Sequence, residues 1–77
     1  MEKETVLSLY KEYVMPTYFQ TPLVLTKGKG IKVYDIEGKE YLDFFPGWGV
    51  SGIGHCHKKV VDAIRKQSKK ILHVSNN

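Results

Sequence analysis

Three groups of residues have types and spacings that could do chemistry. Gly47-Trp48-Gly49-Val50-Ser51-Gly52 fits G-x-G-x-x-G letter for letter. In a dinucleotide site such glycines let the backbone touch a pyrophosphate at a helix N-terminus. Three features weigh against that chemistry here. Pro46 interrupts the strand-to-loop junction, the next helical pattern starts several residues too late, and no acidic residue stands about 20 positions on, where the chain reads Lys69-Lys70-Ile71-Leu72. His55-Cys56-His57 offers three metal-ligand types in a row. Adjacent residues cannot all face one ion in regular structure, and zinc sites use separated pairs. The expectation is that His55 and His57 cap or hydrogen-bond the glycine loop at the helix start. Cys56 as a nucleophile would need a base held by a third group, and no orienting carboxylate is apparent beside it. Asp35, Glu37, Glu40 and Asp43 read as exposed hairpin charges rather than a paired acid and base.

These groups must be held by the surrounding elements. Val6, Leu9, Tyr10, Tyr13 and Val14 form one apolar stripe at helical spacing. Pro16 disfavours helical geometry at Met15, so the helix is expected to stop near there. Residues 16–22 have no period and read as an extended connection. Leu23 to Thr26 is a short strand candidate, with Lys27-Gly28-Lys29-Gly30 as a turn. Ile31 to Ile36 is a second strand, Glu37-Gly38-Lys39 a second turn, and Glu40 to Phe44 a third strand. After the glycine-rich stretch the helical period returns at Val60, Val61, Ile64, Ile71 and Leu72, predicting a helix from Lys58 to about His73. The fold class is therefore α+β: an N-terminal helix, a three-stranded antiparallel meander, a glycine-rich loop and a C-terminal helix.

Composition limits what the chain does. With 77 residues, 42% hydrophobic and 26% charged, it is ordinary globular material rather than disordered. The formal net charge is +4. Lys58, Lys59, Lys66, Lys69 and Lys70 cluster on the predicted second helix. A solvated helix face accounts for them, and a small basic module that binds nucleic acid is the alternative. That helix lacks aromatics for base stacking, which disfavours the alternative. The single cysteine rules out an intrachain disulfide and points to a reducing compartment. No apolar run approaches the ~20 residues that span a bilayer, and the Met-Glu-Lys-Glu start is unlike a secretory signal, so a cytoplasmic location is expected. Neither helix has a sufficient partner for its stripe within 77 residues, so a larger body is expected to cover the exposed apolar surface.

An ordered string carries more than any single motif. It runs Thr17-Tyr18, Pro22-Leu23-Val24-Leu25, Gly28-Lys29-Gly30, Val33-Tyr34-Asp35 and Glu37-Gly38-Lys39-Glu40-Tyr41-Leu42-Asp43-Phe44. It continues through Gly47, Gly49-Val50, Gly54-His55-Cys56-His57 and Val60-Val61-Asp62-Ala63-Ile64, and ends in His73-Val74-Ser75-Asn76. This string resembles the N-terminal segment of class III pyridoxal-phosphate aminotransferases, nearest the acetylornithine and ornithine branch. The resemblance covers about residues 13 to 77. It implies the N-terminal part of a fold-type I enzyme, with residues 1–77 as one incomplete segment. It also implies pyridoxal phosphate held by a downstream domain, a homodimer with active sites at the subunit interface, and transfer of an amino group from an ω-amine donor to 2-oxoglutarate. The Schiff-base lysine, the aspartate facing the pyridine nitrogen and the phosphate loop lie beyond residue 77 in family members. No catalytic, cofactor-binding or metal-binding residue is therefore expected here, and the chain alone is expected to be inactive.

By the same resemblance, Tyr18 stands near the substrate's distal group. Trp48 shapes the substrate pocket, with Gly49 and Val50 lining it beside Trp48. The bland alternatives are a packing aromatic at Tyr18 and a core aromatic at Trp48. The sequence departs from the pattern at three places. Acetylornithine enzymes commonly carry a smaller aliphatic residue where Trp48 stands, and diaminopelargonate enzymes carry tryptophan. Gln20 replaces a frequent arginine, and Lys58 replaces a proline that commonly opens the helix.

Overall fold

A computed structural model describes all residues 1–77. In chain order it holds α1 (Lys3–Tyr13), β1 (Leu25–Lys29), β2 (Lys32–Asp35), β3 (Glu40–Leu42) and α2 (Lys58–Ser68). The three strands form one antiparallel sheet in the order β1-β2-β3, the meander the sequence predicts.

The strand bounds differ from the sequence expectation in an instructive way. β1 lies further along the chain than Leu23 to Thr26, and Lys27, Gly28 and Lys29 are strand rather than turn. The turn falls on Gly30 and Ile31 instead, with Gly30 at φ +59°. Gly28 pairs with Val33 across the sheet and lies beneath His55, where a β-carbon on residue 28 would come within 3.0 Å of the histidine. This glycine serves close approach, not a turn. β3 ends at Leu42, two residues before the expected Phe44. α1 stops at Tyr13 and Val14 is extended, as Pro16 requires. α2 begins at Lys58, so the helix does not need proline there. It ends at Ser68 rather than near His73. The Ser68 hydroxyl donates to the Arg65 carbonyl, and the Lys70 amide donates to the Gln67 carbonyl, closing the helix in a tighter turn. Lys69 and Lys70 therefore lie past the helix end.

Alternation sorts the sheet into two faces. Val33, Asp35 and Tyr41 share one, while Lys32, Tyr34, Glu40 and Leu42 share the other. The second face is mostly polar. Tyr34 donates to Glu40 at 3.0 Å, Lys32 approaches Glu40 at 3.8 Å, and Lys27 lies over the Tyr34 ring. Only Val33 and Asp35 are buried, at 7% and 8% exposure. The chain is correspondingly open. Its radius of gyration is 15.5 Å, against about 11.5 Å for a compact domain of this length.

Asp35 corrects the expectation of an exposed hairpin charge. One carboxylate oxygen accepts the amides of Glu37 and Lys39, each at 2.9 Å, and the other accepts the Tyr41 hydroxyl at 2.9 Å. This carboxylate therefore organises the β2–β3 turn, whose Gly38 has φ +88°. Burial is the largest single influence on Asp35 and pushes its pKa up. The Lys39 amide, the Tyr41 hydroxyl, the Glu37 amide and the charge of Lys3 together outweigh it and hold the pKa below the ordinary value.

The loop after β3 is tied back to the first turn. The Asp43 amide donates to the Ile31 carbonyl at 2.6 Å. Gly30 and His55 form an isolated antiparallel bridge, exchanging amide-to-carbonyl bonds of 3.0 and 2.8 Å. Gly54, at φ +84°, makes that approach possible, because a β-carbon there would lie 3.0–3.2 Å from three Gly30 backbone atoms.

Two predictions follow from these anchors. A lowered carboxylate pKa contributes stability that is present above the ordinary value and lost as pH falls through the folded value. The Glu37 and Lys39 amide resonances should therefore titrate with a midpoint below 3.8, and a midpoint at or above 3.8 would contradict the Asp35 geometry. Gly54→Ala should weaken the Gly30–His55 bridge by roughly 1–3 kcal/mol, through left-handed strain together with the clash of its β-carbon against the Gly30 backbone. Gly30→Ala carries left-handed strain too, at φ +59°, but should cost less, since nothing lies within 4 Å of its β-carbon position. Amide exchange at Gly30 and His55 compares the two, and equal effects would count against the close approach as the cause.

Candidate substrate-side loop

The residues between β3 and α2 fold as a chain of tight turns. The Pro46 carbonyl accepts the amides of Gly49 and Ser51 at 3.1 and 2.9 Å. The Gly47 carbonyl accepts Val50 at 3.2 Å, and the Ser51 carbonyl accepts Gly54 at 3.0 Å. Gly47, Trp48 and Gly49 have φ of +60°, +59° and +92°. Three consecutive left-handed residues make this a turn only glycine accepts freely, yet the middle one is tryptophan. For a bulky L-residue that conformation is an outlier costing about 1–2 kcal/mol.

Within residues 1–77 the strained tryptophan lies on the surface. Trp48 is 90% exposed, and its ring stands T-shaped to that of Phe45, with centroids 5.5 Å apart at 85°. Nothing would obstruct a β-carbon at Gly49, and Val50 is 88% exposed. The bland reading of Trp48 as a packed core aromatic therefore fails within residues 1–77. A bulky side chain kept at positive φ is a strained position that persists only where its surroundings hold it there.

Tyr18 is placed elsewhere. It lies in the irregular stretch after α1 and is 89% exposed. It borders an open groove of about 300 Å³ with Leu7, Tyr10, Lys11, Val14, Pro16, Gln20 and Pro22. Trp48, Gly49 and Val50 do not line that groove, so residues 1–77 do not bring the four expected pocket residues into one cavity.

The histidines have assigned tasks, as the sequence suggests. His57 is the N-cap of α2, its Nδ1 accepting the Lys59 amide at 3.2 Å. Lys58 and Asp62 add an exposed pair at 2.8 Å one turn apart. His55 does more than the sequence shows. Its Nε2 lies 2.6 Å from Asp43 Oδ2, with both side chains about a quarter exposed. Asp43 Oδ1 accepts the Phe45 amide at 3.1 Å. The His55 hydrogen bond first, then that amide, hold the Asp43 pKa below its ordinary value despite desolvation. The orienting carboxylate that seemed absent near Cys56 thus exists, but it serves His55 as a clasp. Cys56 itself is exposed, and both neighbouring histidines are engaged elsewhere. No three potential ligands converge on a metal position.

Arg65, Lys66, Lys69 and Lys70 border an open groove of about 410 Å³ with Asp62. No aromatic lines it, so the basic end of α2 offers charge without a stacking surface. No helix is long and apolar enough to cross a membrane.

Comparison with known proteins places this geometry. The family model for class-III aminotransferases matches residues 13–77. Acetylornithine aminotransferase of Methanocaldococcus jannaschii is 51% identical over 76 residues, which are 99% of this chain and 19% of that protein. The Methanosarcina mazei acetylornithine aminotransferase is 52% identical over 73 residues, 95% of this chain and 18% of that one. Among solved structures, acetylornithine aminotransferase from Elizabethkingia anophelis superposes with a TM-score of 0.87 at 33% identity, covering 99% of this chain and 20% of that one. The taurine:2-oxoglutarate aminotransferase of Bifidobacterium kashiwanohense, solved with PLP and glutamate, gives 0.78 at 31% identity, covering 99% of this chain and 18% of that one. The chain thus spans about a fifth of the length of these relatives. With the helix–meander–loop–helix order shared across nearly its whole length, the chain belongs to the class-III aminotransferases.

Proposed function

We propose that residues 1–77 act as the N-terminal segment of a pyridoxal-phosphate-dependent aminotransferase of the acetylornithine type, supplying part of its substrate pocket and dimer interface. The complete enzyme moves the amino group of acetylornithine or a similar ω-amine to 2-oxoglutarate, in the cytoplasm, as a homodimer. The observation that carries this reading is Trp48: a bulky side chain forced into a left-handed turn between two glycines and left exposed. Such strain is intelligible where the side chain meets a ligand or a partner surface. Tyr18, Gly49 and Val50 join Trp48 as the substrate-side wall once the rest of the enzyme brings them together. The names of the archaeal relatives support acetylornithine as donor.

The residues present do not fit the cofactor. No lysine is buried, and the two ordered carboxylates are already occupied, Asp35 by its own turn and Tyr41, Asp43 by His55 and Phe45. No catalytic step is assigned to this segment through pyridoxal phosphate. Its contribution is to bind and orient: an aromatic wall sorts donors by the size and polarity of their distal group, an apolar discrimination of roughly 1–3 kcal/mol per methylene.

A full-length enzyme with residues 1–77 joined to the downstream part of the M. jannaschii relative tests this. Trp48→Ala is expected to change the kcat/KM ratio of acetylornithine to 4-aminobutyrate by roughly tenfold or more, measured with 2-oxoglutarate as acceptor. An unchanged ratio would remove Trp48 from the pocket. The 77-residue chain alone should form no saturable one-to-one internal aldimine with pyridoxal phosphate, and an aldimine band that saturates at one equivalent and survives dialysis would show a cofactor site these residues do not display.

A further inference from the structure

The loop carrying Trp48 hangs from one place. Asp43 enters it with its amide on the Ile31 carbonyl, and His55 leaves it paired to Gly30 through two backbone bonds. Gly30 and Ile31 are consecutive, so both ends of the loop sit on a single turn. Side chains close the same neck. His55 Nε2 reaches Asp43 Oδ2 at 2.6 Å across a separation of twelve residues, and Asp43 Oδ1 holds the Phe45 amide at 3.1 Å. One carboxylate thereby grips the outgoing and the returning chain at once. Space for the imidazole is cleared by Gly28, and space for the backbone bridge by Gly54.

Above the neck, order is thin. Residues 46–54 are joined by short-range turn bonds, and Trp48 has one aromatic edge for company. The strained turn at Gly47-Trp48-Gly49 is held by bonds within the loop itself, from Gly49 and Ser51 to the Pro46 carbonyl and from Val50 to the Gly47 carbonyl. Closing a loop of this length by a short, charge-assisted hydrogen bond removes much of its freedom. A wall that touches the donor's distal group equally in the ground and transition states shows its displacement in KM rather than in kcat.

We infer that Asp43 and His55 are positioning residues for the amino-donor pocket: they clasp the neck of the 44–54 loop and so fix where Trp48, Gly49 and Val50 stand. The inference rests on the pocket assignment of Trp48, and the two are separable by experiment.

The test uses the full-length holoenzyme carrying this segment. His55→Ala should speed amide exchange across residues 46–53 and raise the KM for acetylornithine by roughly tenfold, the scale of one hydrogen bond to a charged group. The kcat should stay within about twofold, as befits lost positioning of a bound ground state. His55→Gln, whose amide can still donate to Asp43, should restore both readouts most of the way. Asp43→Ala combined with His55→Ala should do little more than Asp43→Ala alone, because the pair acts as a unit. Unchanged loop exchange in His55→Ala, additive effects in the double variant, or faster exchange with an unaltered KM each overturn the inference. Trp48→Ala leaving donor preference unchanged sinks the pocket assignment instead, whatever the loop exchange shows.

Discussion

Two backbone segments, one from the β1–β2 turn and one from the approach to α2, come close enough to exchange a pair of hydrogen bonds between Gly30 and His55. That contact needs a residue without a β-carbon at position 54 and tolerates no bulk at position 28. With the contact made, the imidazole of His55 lies over the sheet and meets Asp43. His57 then falls where it caps α2, and the intervening residues project as the loop that bears Trp48. The glycine-rich stretch matches a dinucleotide fingerprint only by letters. Its glycines supply left-handed turns at 47 and 49 and backbone clearance at 54, not a cradle for phosphate at a helix start.

The chain is otherwise an open scaffold. One apolar side chain is buried, the two helices do not pack on the sheet, and Leu9, Tyr10, Tyr13 and Val14 of the α1 stripe face outward. The ordered features are local: a carboxylate-centred turn at Asp35, a clasp at Asp43 and His55, and a capped α2. Each is held by polar groups satisfied within a few residues or across one turn. The segment leaves much apolar surface exposed, and the chain spans about a fifth of its relatives' length.

Much of the order was legible in the residues. The α1 stripe with Pro16 beyond it, the antiparallel meander and the start of α2 at Lys58 all follow from period and breaker residues. Glycines misled where their purpose was tertiary. Gly28 reads as a turn residue, yet it is a strand residue thinned for His55, which moves the true turn to Gly30 and Ile31. The end of α2 was overestimated because Ile71 and Leu72 keep the period, while Ser68 and Lys70 close the helix before them. Asp35 and Asp43 looked like exposed charges, since nothing local reveals that one gathers three donors and the other meets a histidine twelve residues away. A pocket that needs both Tyr18 and Trp48 could not be read from spacing at all, and within residues 1–77 the two line no common groove.

The claim at the centre is that the strained, exposed Trp48 stands out to meet the amino donor. A crystal structure of a full-length enzyme bearing this segment, with acetylornithine or an unreactive analogue bound, addresses it directly. The account predicts Trp48 still left-handed between its glycines, with its ring and the Tyr18 side chain within about 4 Å of the donor's distal group. A structure in which Trp48 packs into the protein interior away from the donor, or relaxes to negative φ, would contradict it.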